Sequence, residues 1–276
     1  MKGIVLPERT EDFTADPVEL FFDLAFVFAF SQLVSHIVHH PTWTGLGETT
    51  LSFMLVWFPW SQFTWSANAV SGNGRQVRLV FLLATVASIP MGAAVTTAFG
   101  EGDTVFAISA SIILMMGLAT MGAAFEPSSP QFQAAVRYAW PNVLAVVLLI
   151  TGSFLADEVR VIVWLVALAI MIAGTIAAGS SEWIIRSGHF AERHGLIIIV
   201  ALGEVIVAIG IAVVDSLQEG EGLPASTMWA LIGSGAFAAL LWWGYFDRAG
   251  PAFEHRAEGL DGIPAGRFAR DVYTYT

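Results

Sequence analysis

Two acids stand deep inside apolar sequence, Asp23 in VELFFDLAFVFAFSQLVSHIV (18–38) and Glu204 in HGLIIIVALGEVIVAIGIAVV (194–214). Runs of this length cross a bilayer, because about 20 helical residues rising ~1.5 Å each span the hydrocarbon. A carboxylate held there costs roughly 2.5–3.5 kcal/mol unless it faces protein or a water-filled cavity. Such acids suit one chemistry above all, the binding and release of a proton or an ion along a membrane path. Asp23 lies a turn or so from the start of its helix. Glu204 lies about ten residues, or ~15 Å, from the start of its own. The stagger predicts a relay, shallow acid first and deep acid second. Arg193 and His194 stand at the mouth of the Glu204 helix, after His189 and Glu192, and Arg193 is the natural counter-charge for Asp23.

The same residues have plainer readings. Asp23 can be an ion pair between packed helices, and Glu204 a protonated acid hydrogen-bonded across helices, since burial without a cation raises a carboxyl pKa. Arg193 can simply reach for the interface. Ala201, Gly203, Ala208 and Ala212 would let the Glu204 face pack closely on a neighbour. Gln62 and Asn68, in WFPWSQFTWSAN (57–68), add polarity that could line the path. Pro59 and Pro90 fall near the middle of two spans and imply kinks. Asp16-Pro17-Val18-Glu19 reads as a capping box, with Asp16 at the N-cap and Glu19 reaching back to its amide. His36, His39 and His40 cluster at the outer end of the first helix as interfacial histidines, with no acid pattern for a metal.

The elements that must position these groups follow from composition. The chain is 56% hydrophobic and 13% charged, against about 25% charged in a soluble domain. It has too little polar surface to cover itself in water, so an all-α polytopic membrane protein is expected, with the lipid bilayer as its first partner. The net charge of −11 argues against nucleic acid. Cysteine is absent, which excludes disulfides and thiolate chemistry. No HExxH, phosphate loop or nucleophile elbow occurs, so neither cofactor nor metal nor enzyme activity is expected.

About eight transmembrane helices are expected, near 18–38, 49–68, 77–99, 104–125, 139–156, 158–179, 194–214 and 226–246. This gives a short segment 1–17, a helical domain 18–246 and a polar, glycine-rich tail 247–276 ending on RDVYTYT. Alternating spans put Lys2, Arg9, Arg75, Arg78, Arg137 and Arg186 on one side with Arg193 and the tail, and Arg160 alone on the other. Both ends are then cytoplasmic and the protein sits in the bacterial inner membrane. The outer loops are acidic, with Glu101, Asp103, Asp157, Glu158, Asp215, Glu219 and Glu221. Trp43 and Trp229 fall at the outer interface, and Trp65, Trp140, Trp183 and Trp242 at the inner one.

PVELFFDLAFVFAFSQL at 17–33 and HFAERHGLIIIVALGEVIVAIG at 189–210 together resemble the bacterial low temperature requirement A (LtrA) family of polytopic membrane proteins. The resemblance runs along the chain. It implies that the chain matches the N-terminal majority of such a protein, whose members continue through further spans after a segment like RFARDVYTYT. The family name records a cold-growth phenotype and implies no substrate. The aromatic-Asp opening of the first helix is also similar to the Phe-Ser-Asp helix of a non-standard potassium channel family, without the serine.

The leading expectation is transport of a solute, ion or proton along a path lined by Asp23 and Glu204. The alternative is a non-transporting membrane protein of stress adaptation, sensing or assembly. The topology is directly testable in this cysteine-free chain. Single cysteines at Gly102 and Gly220 are expected to react with an impermeant maleimide from outside intact cells, and labelling of either only after lysis would overturn the orientation.

Overall fold

The computed structural model describes residues 15–70, 74–179, 181, 183, 185–218, 222–260 and 262–275. The segment before Ala15, with Lys2 and Arg9, and the loop residues Glu219, Gly220 and Glu221 lie outside the described residues. The long elements are all α-helical: α1 Pro17–His39, α2 Trp43–Ala69, α3 Arg75–Ala93, α4 Asp103–Ala124, α5 Pro130–Gly152, α6 Asp157–Ala178, α7 Ser187–Gln218 and α8 Ala225–Trp243. No strand occurs among the described residues. The apolar runs mark the hydrocarbon and the helices extend past them. α2 begins at Thr42, whose side chain accepts from the Gly45 amide at 3.0 Å. α5 begins at Ser129, which accepts from Phe132 at 3.1 Å and is followed by Pro130. These caps satisfy amides that the first helical turn leaves without partners.

Among the described residues, seven stretches are long and apolar enough to cross a membrane. α2 is the exception, and its burial explains why. Ser61, Gln62, Thr64, Ser66 and Asn68 are all buried in its inner half. Several of their polar groups find partners inside the protein: Thr64 donates to the Trp60 carbonyl, and Ser66 Oγ lies 2.8 Å from the carbonyls of Gln62 and of Gly117 on α4. A helix enclosed by its neighbours needs no lipid-compatible surface. α2 packs on α1, α4, α6 and α7, α1 also on α3 and α7, and α5 on α4 and α6. The close α2–α4 approach depends on glycine, since a Cβ on Gly117 would stand 2.7 Å from Gln62 Cγ.

α7 changes character along its length. His189, Phe190, Arg193, His194 and Ile197 are buried, whereas Val205, Ile206, Val207, Ile211 and Val214 are exposed. α8 pairs with α7 and buries only Ala238. Together they form a lipid-compatible hairpin at the side of the bundle.

Several expectations need correction. Pro90 lies three residues from the end of α3, and a 3-10 turn at Val95–Thr97 follows it. Trp65 and Trp183 are not interfacial anchors. Their rings pack together at 5.7 Å inside the protein, where their indole N–H groups donate to Thr274 Oγ1 and the Ala178 carbonyl. Arg160, the lone basic residue on its side, is buried and pairs with Asp103 at 2.5 Å and Asp157 at 3.1 Å. It thereby ties the α3–α4 loop end to the start of α6.

The tail is also more ordered than its composition suggests. α8 runs on through a π turn, Gly244–Ala249, into α9, Gly250–Glu258. Pro251 supplies the cause: it has no amide to offer the carbonyl four residues back, so the ladder widens. The Gly250 amide instead reaches the Tyr245 carbonyl. α10, Gly262–Tyr273, then carries the chain back into the bundle, burying Ala265, Ala269 and Tyr273.

Candidate functional site

The first turn of α1 is fixed by its capping box. Asp16 accepts from the Val18 amide at 3.1 Å, and Glu19 Oε1 accepts from the Asp16 amide at 3.3 Å. Glu19 has a second role that the cap does not use. Its Oε2 accepts from Arg193 Nη1 at 2.5 Å and meets His189 Nε2 at 3.0 Å. One turn later, Asp23 Oδ1 accepts from Arg193 Nη2 at 2.6 Å and from Trp60 Nε1 at 2.7 Å.

The geometry comes from two matched spacings. Glu19 and Asp23 are four residues apart on α1, so both carboxylates share one face. His189 and Arg193 are four apart on α7 and share the face that meets it. The Arg193 fork therefore spans both acids, a planar match that lysine would not reproduce. Glu19, Asp23, His189 and Arg193 are each at most 2% exposed. The Arg193 guanidinium also lies 5.8 Å from the Trp60 ring centroid. Two carboxylates face one guanidinium, and Asp23 Oδ2 has no hydrogen-bond partner.

His194 turns to the other side of α7. Its Nδ1 is 2.8 Å from the Phe190 carbonyl and its Nε2 is 2.6 Å from the Tyr273 carbonyl. Both carbonyls only accept, so a neutral ring donates to one and an imidazolium to both. The Trp60 ring stands edge-on to His194 at 5.0 Å. The residues after α10 are held in a cleft between α2, α6 and α7. Trp57 Nε1 donates to the Thr274 carbonyl at 2.9 Å, Trp65 Nε1 to its hydroxyl at 3.1 Å, and the Tyr275 hydroxyl meets Thr175 Oγ1.

The path residues expected from sequence do not converge. Arg193 joins Asp23, and His194 lies beside them through Trp60. Glu204 is eleven residues beyond Arg193 on α7, or ~16 Å along the axis. It is half-buried on the lipid-compatible stretch and joins neither Asp23 nor a cavity. Beside it, a Cβ on Gly203 would have no neighbour within 4 Å. The Asp23–Glu204 relay is therefore not formed in this structure. Gln62 faces α4, with its Nε2 3.4 Å from Ser66 Oγ and 3.9 Å from Met121 Sδ. Asn68 accepts from the Arg186 amide at 2.9 Å and holds the segment before α7 against α2. Both are remote from the acid pair in partner and in direction.

Sequence reading missed Glu19 as an ion-pair acid, His189, Trp60 and Tyr273. The paired four-residue spacings, acid–acid on α1 and His–Arg on α7, are the signal that could have found the first two.

A family model for the bacterial low temperature requirement A protein (LtrA) matches residues 14–276. The chain is 31% identical to an uncharacterized protein of Rhizobium meliloti (strain 1021) over 279 aligned positions, covering 97% of this chain. The chain spans 66% of that relative's length, just under two thirds. No solved structure matches.

The Trp60–Asp23 bond makes a prediction about stability. Trp60→Phe keeps the ring and removes one donor to a buried carboxylate, a loss of about 1.5–3 kcal/mol. Equilibrium unfolding in mixed micelles should show that loss. An unchanged midpoint would mean that Trp60 only fills space.

Proposed function

The chain belongs to the bacterial low temperature requirement A (LtrA) family, and we propose that it moves an ion or small solute across the bacterial inner membrane. Protonation of the buried acid cluster is the coupling event, and the protein is not an enzyme. The observation that supports this reading is the imbalance at Arg193. Two carboxylates share one guanidinium, and Asp23 Oδ2 is buried without a partner. His189 also meets Glu19, which leaves Asp23 as the carboxylate held by Arg193 and Trp60 alone. The additional buried charge is costly in low dielectric, and taking up a proton or a cation removes it.

The cluster also joins two helices of different surroundings. Arg193 lies on α7, which leaves the bundle one turn further on, and Glu19 and Asp23 lie on α1 inside it. A proton on Asp23 weakens its hold on Arg193, which loosens α7 from α1. The basic end of the helices faces the cytoplasm in this reading, so the cluster lies near the cytoplasmic face. The proposed path runs between α1, α2 and α7 and does not include Glu204.

Proteoliposomes loaded with a pH dye test the proposal. Asp23→Asn keeps the shape of the side chain but cannot titrate, and is expected to abolish the pH-dependent flux. Glu204→Gln is expected to retain it. Wild-type flux in correctly folded Asp23→Asn would overturn the cluster as the coupling element.

A further inference from the structure

Two adjoining cavities lie between α7 and the C-terminal helices, and they share Tyr245 and Tyr273. One, of about 310 Å³, is walled by Phe53, Trp57, Tyr245, Phe253, Tyr273 and Tyr275. The other, of about 340 Å³, carries Glu192 and Glu254 between Gly188, Gly195 and Gly250. Neither wall contains a lysine or an arginine. Glu192 accepts a hydrogen bond from the Ala15 amide at 2.7 Å, and among the described residues neither carboxylate has a basic partner.

Tyr273 stands between the two spaces. It is 3% exposed, yet its hydroxyl has no hydrogen-bond partner. Burial, with Tyr245 and the Glu254 carboxylate nearby, pushes its phenol up, so the group stays a protonated donor and acceptor. A buried hydroxyl without a partner costs free energy. Tyr245 and Ala249, both in the π turn, stand at the wall of the aromatic cavity.

We infer that this double cavity binds an organic cation, an amine or quaternary ammonium with an apolar body. The aromatic rings accept the body and attract the charge through their faces. The two carboxylates fix the sign of the charge and repel anions. A neutral apolar molecule would fill the first cavity but leave the second unmatched. The inference rests on the transport reading only where it makes this cation the cargo; binding itself requires no flux. The site adjoins the proposed coupling cluster, because His194 lines the aromatic cavity and its neighbour Arg193 holds Asp23.

The test uses the whole chain in phosphatidylglycerol nanodiscs, with benzyltrimethylammonium as the probe and tryptophan fluorescence as the readout. Saturable quenching by the probe is expected, with none by benzenesulfonate and about tenfold weaker binding of the neutral isostere neopentylbenzene. Glu192→Gln combined with Glu254→Gln is expected to weaken the probe about tenfold. Glu158→Gln, on the opposite side of the membrane, is expected to change nothing. Each variant is accepted only if its unfolding midpoint matches wild type, and protection of the wild-type midpoint by the probe gives a second, mutation-free measure of binding. Equal affinity for cation and isostere, or full affinity in the doubly substituted chain, would overturn the inference. Nanodiscs doped with phosphatidylethanolamine separate the sources of the cation: competition marks a lipid amine, and unchanged affinity a soluble one. Binding without flux would retain this site and reject the transport reading, whereas flux without binding would do the reverse.

Discussion

A guanidinium sealed between two helices in a membrane is tolerable only if its charge is met at once and in the right plane. Arg193 is fully buried, and its fork is met by Glu19 and Asp23 from successive turns of α1. That requirement fixes the relative height and rotation of α1 and α7, because a shift by one residue on either helix would separate fork from acids. The capping box fixes where α1 begins, and so fixes the acids in turn. Trp60 on α2 then completes Asp23, which brings a third helix into register with the pair.

The central position of α2 is the second consequence. It supplies Trp60 to the acid cluster, Gln62 and Ser66 to α4, and Trp57 and Trp65 to the returning C-terminal segment. A helix with so many separate polar obligations is the most polar of the long helices, although its apolar run still marked a span at 49–68. α7 and α8 have the opposite character beyond Ile198: few internal partners and a surface suited to hydrocarbon.

The helices were legible because the hydrophobic runs have the bilayer's length, and their separation by Gly, Pro and charge marked the turns. Hydropathy placed α2, α5 and α7 several residues late, because their first turns, capped in α2 and α5 by Thr42 and Ser129, lie outside the apolar runs. The ion pair between Asp23 and Arg193 was legible in kind, since a buried acid near the start of one helix needs a cation at similar depth. Glu204 was misplaced because depth along a helix does not say which way a side chain faces or whether a neighbour is there. Gln62 and Asn68 failed for the same reason: both are buried polar groups, but on faces of α2 that sequence cannot assign. Trp65 and Trp183 resemble belt residues by position, and only the return of α10 makes them internal. That return is held in part by a contact between Tyr273 and His194, 79 positions apart in the chain, which no local pattern carries.

The central claim is that Arg193 and its two carboxylates act as one unit. A double-mutant cycle in mixed micelles tests it, with Arg193→Met on one axis and Glu19→Gln with Asp23→Asn on the other. Removing the arginine alone leaves two buried carboxylates without their cation, and should cost about 3–5 kcal/mol. Removing all three charges together should cost clearly less than the sum of the two separate changes. Additivity within about 0.5 kcal/mol would show that the groups do not interact, and would contradict the account.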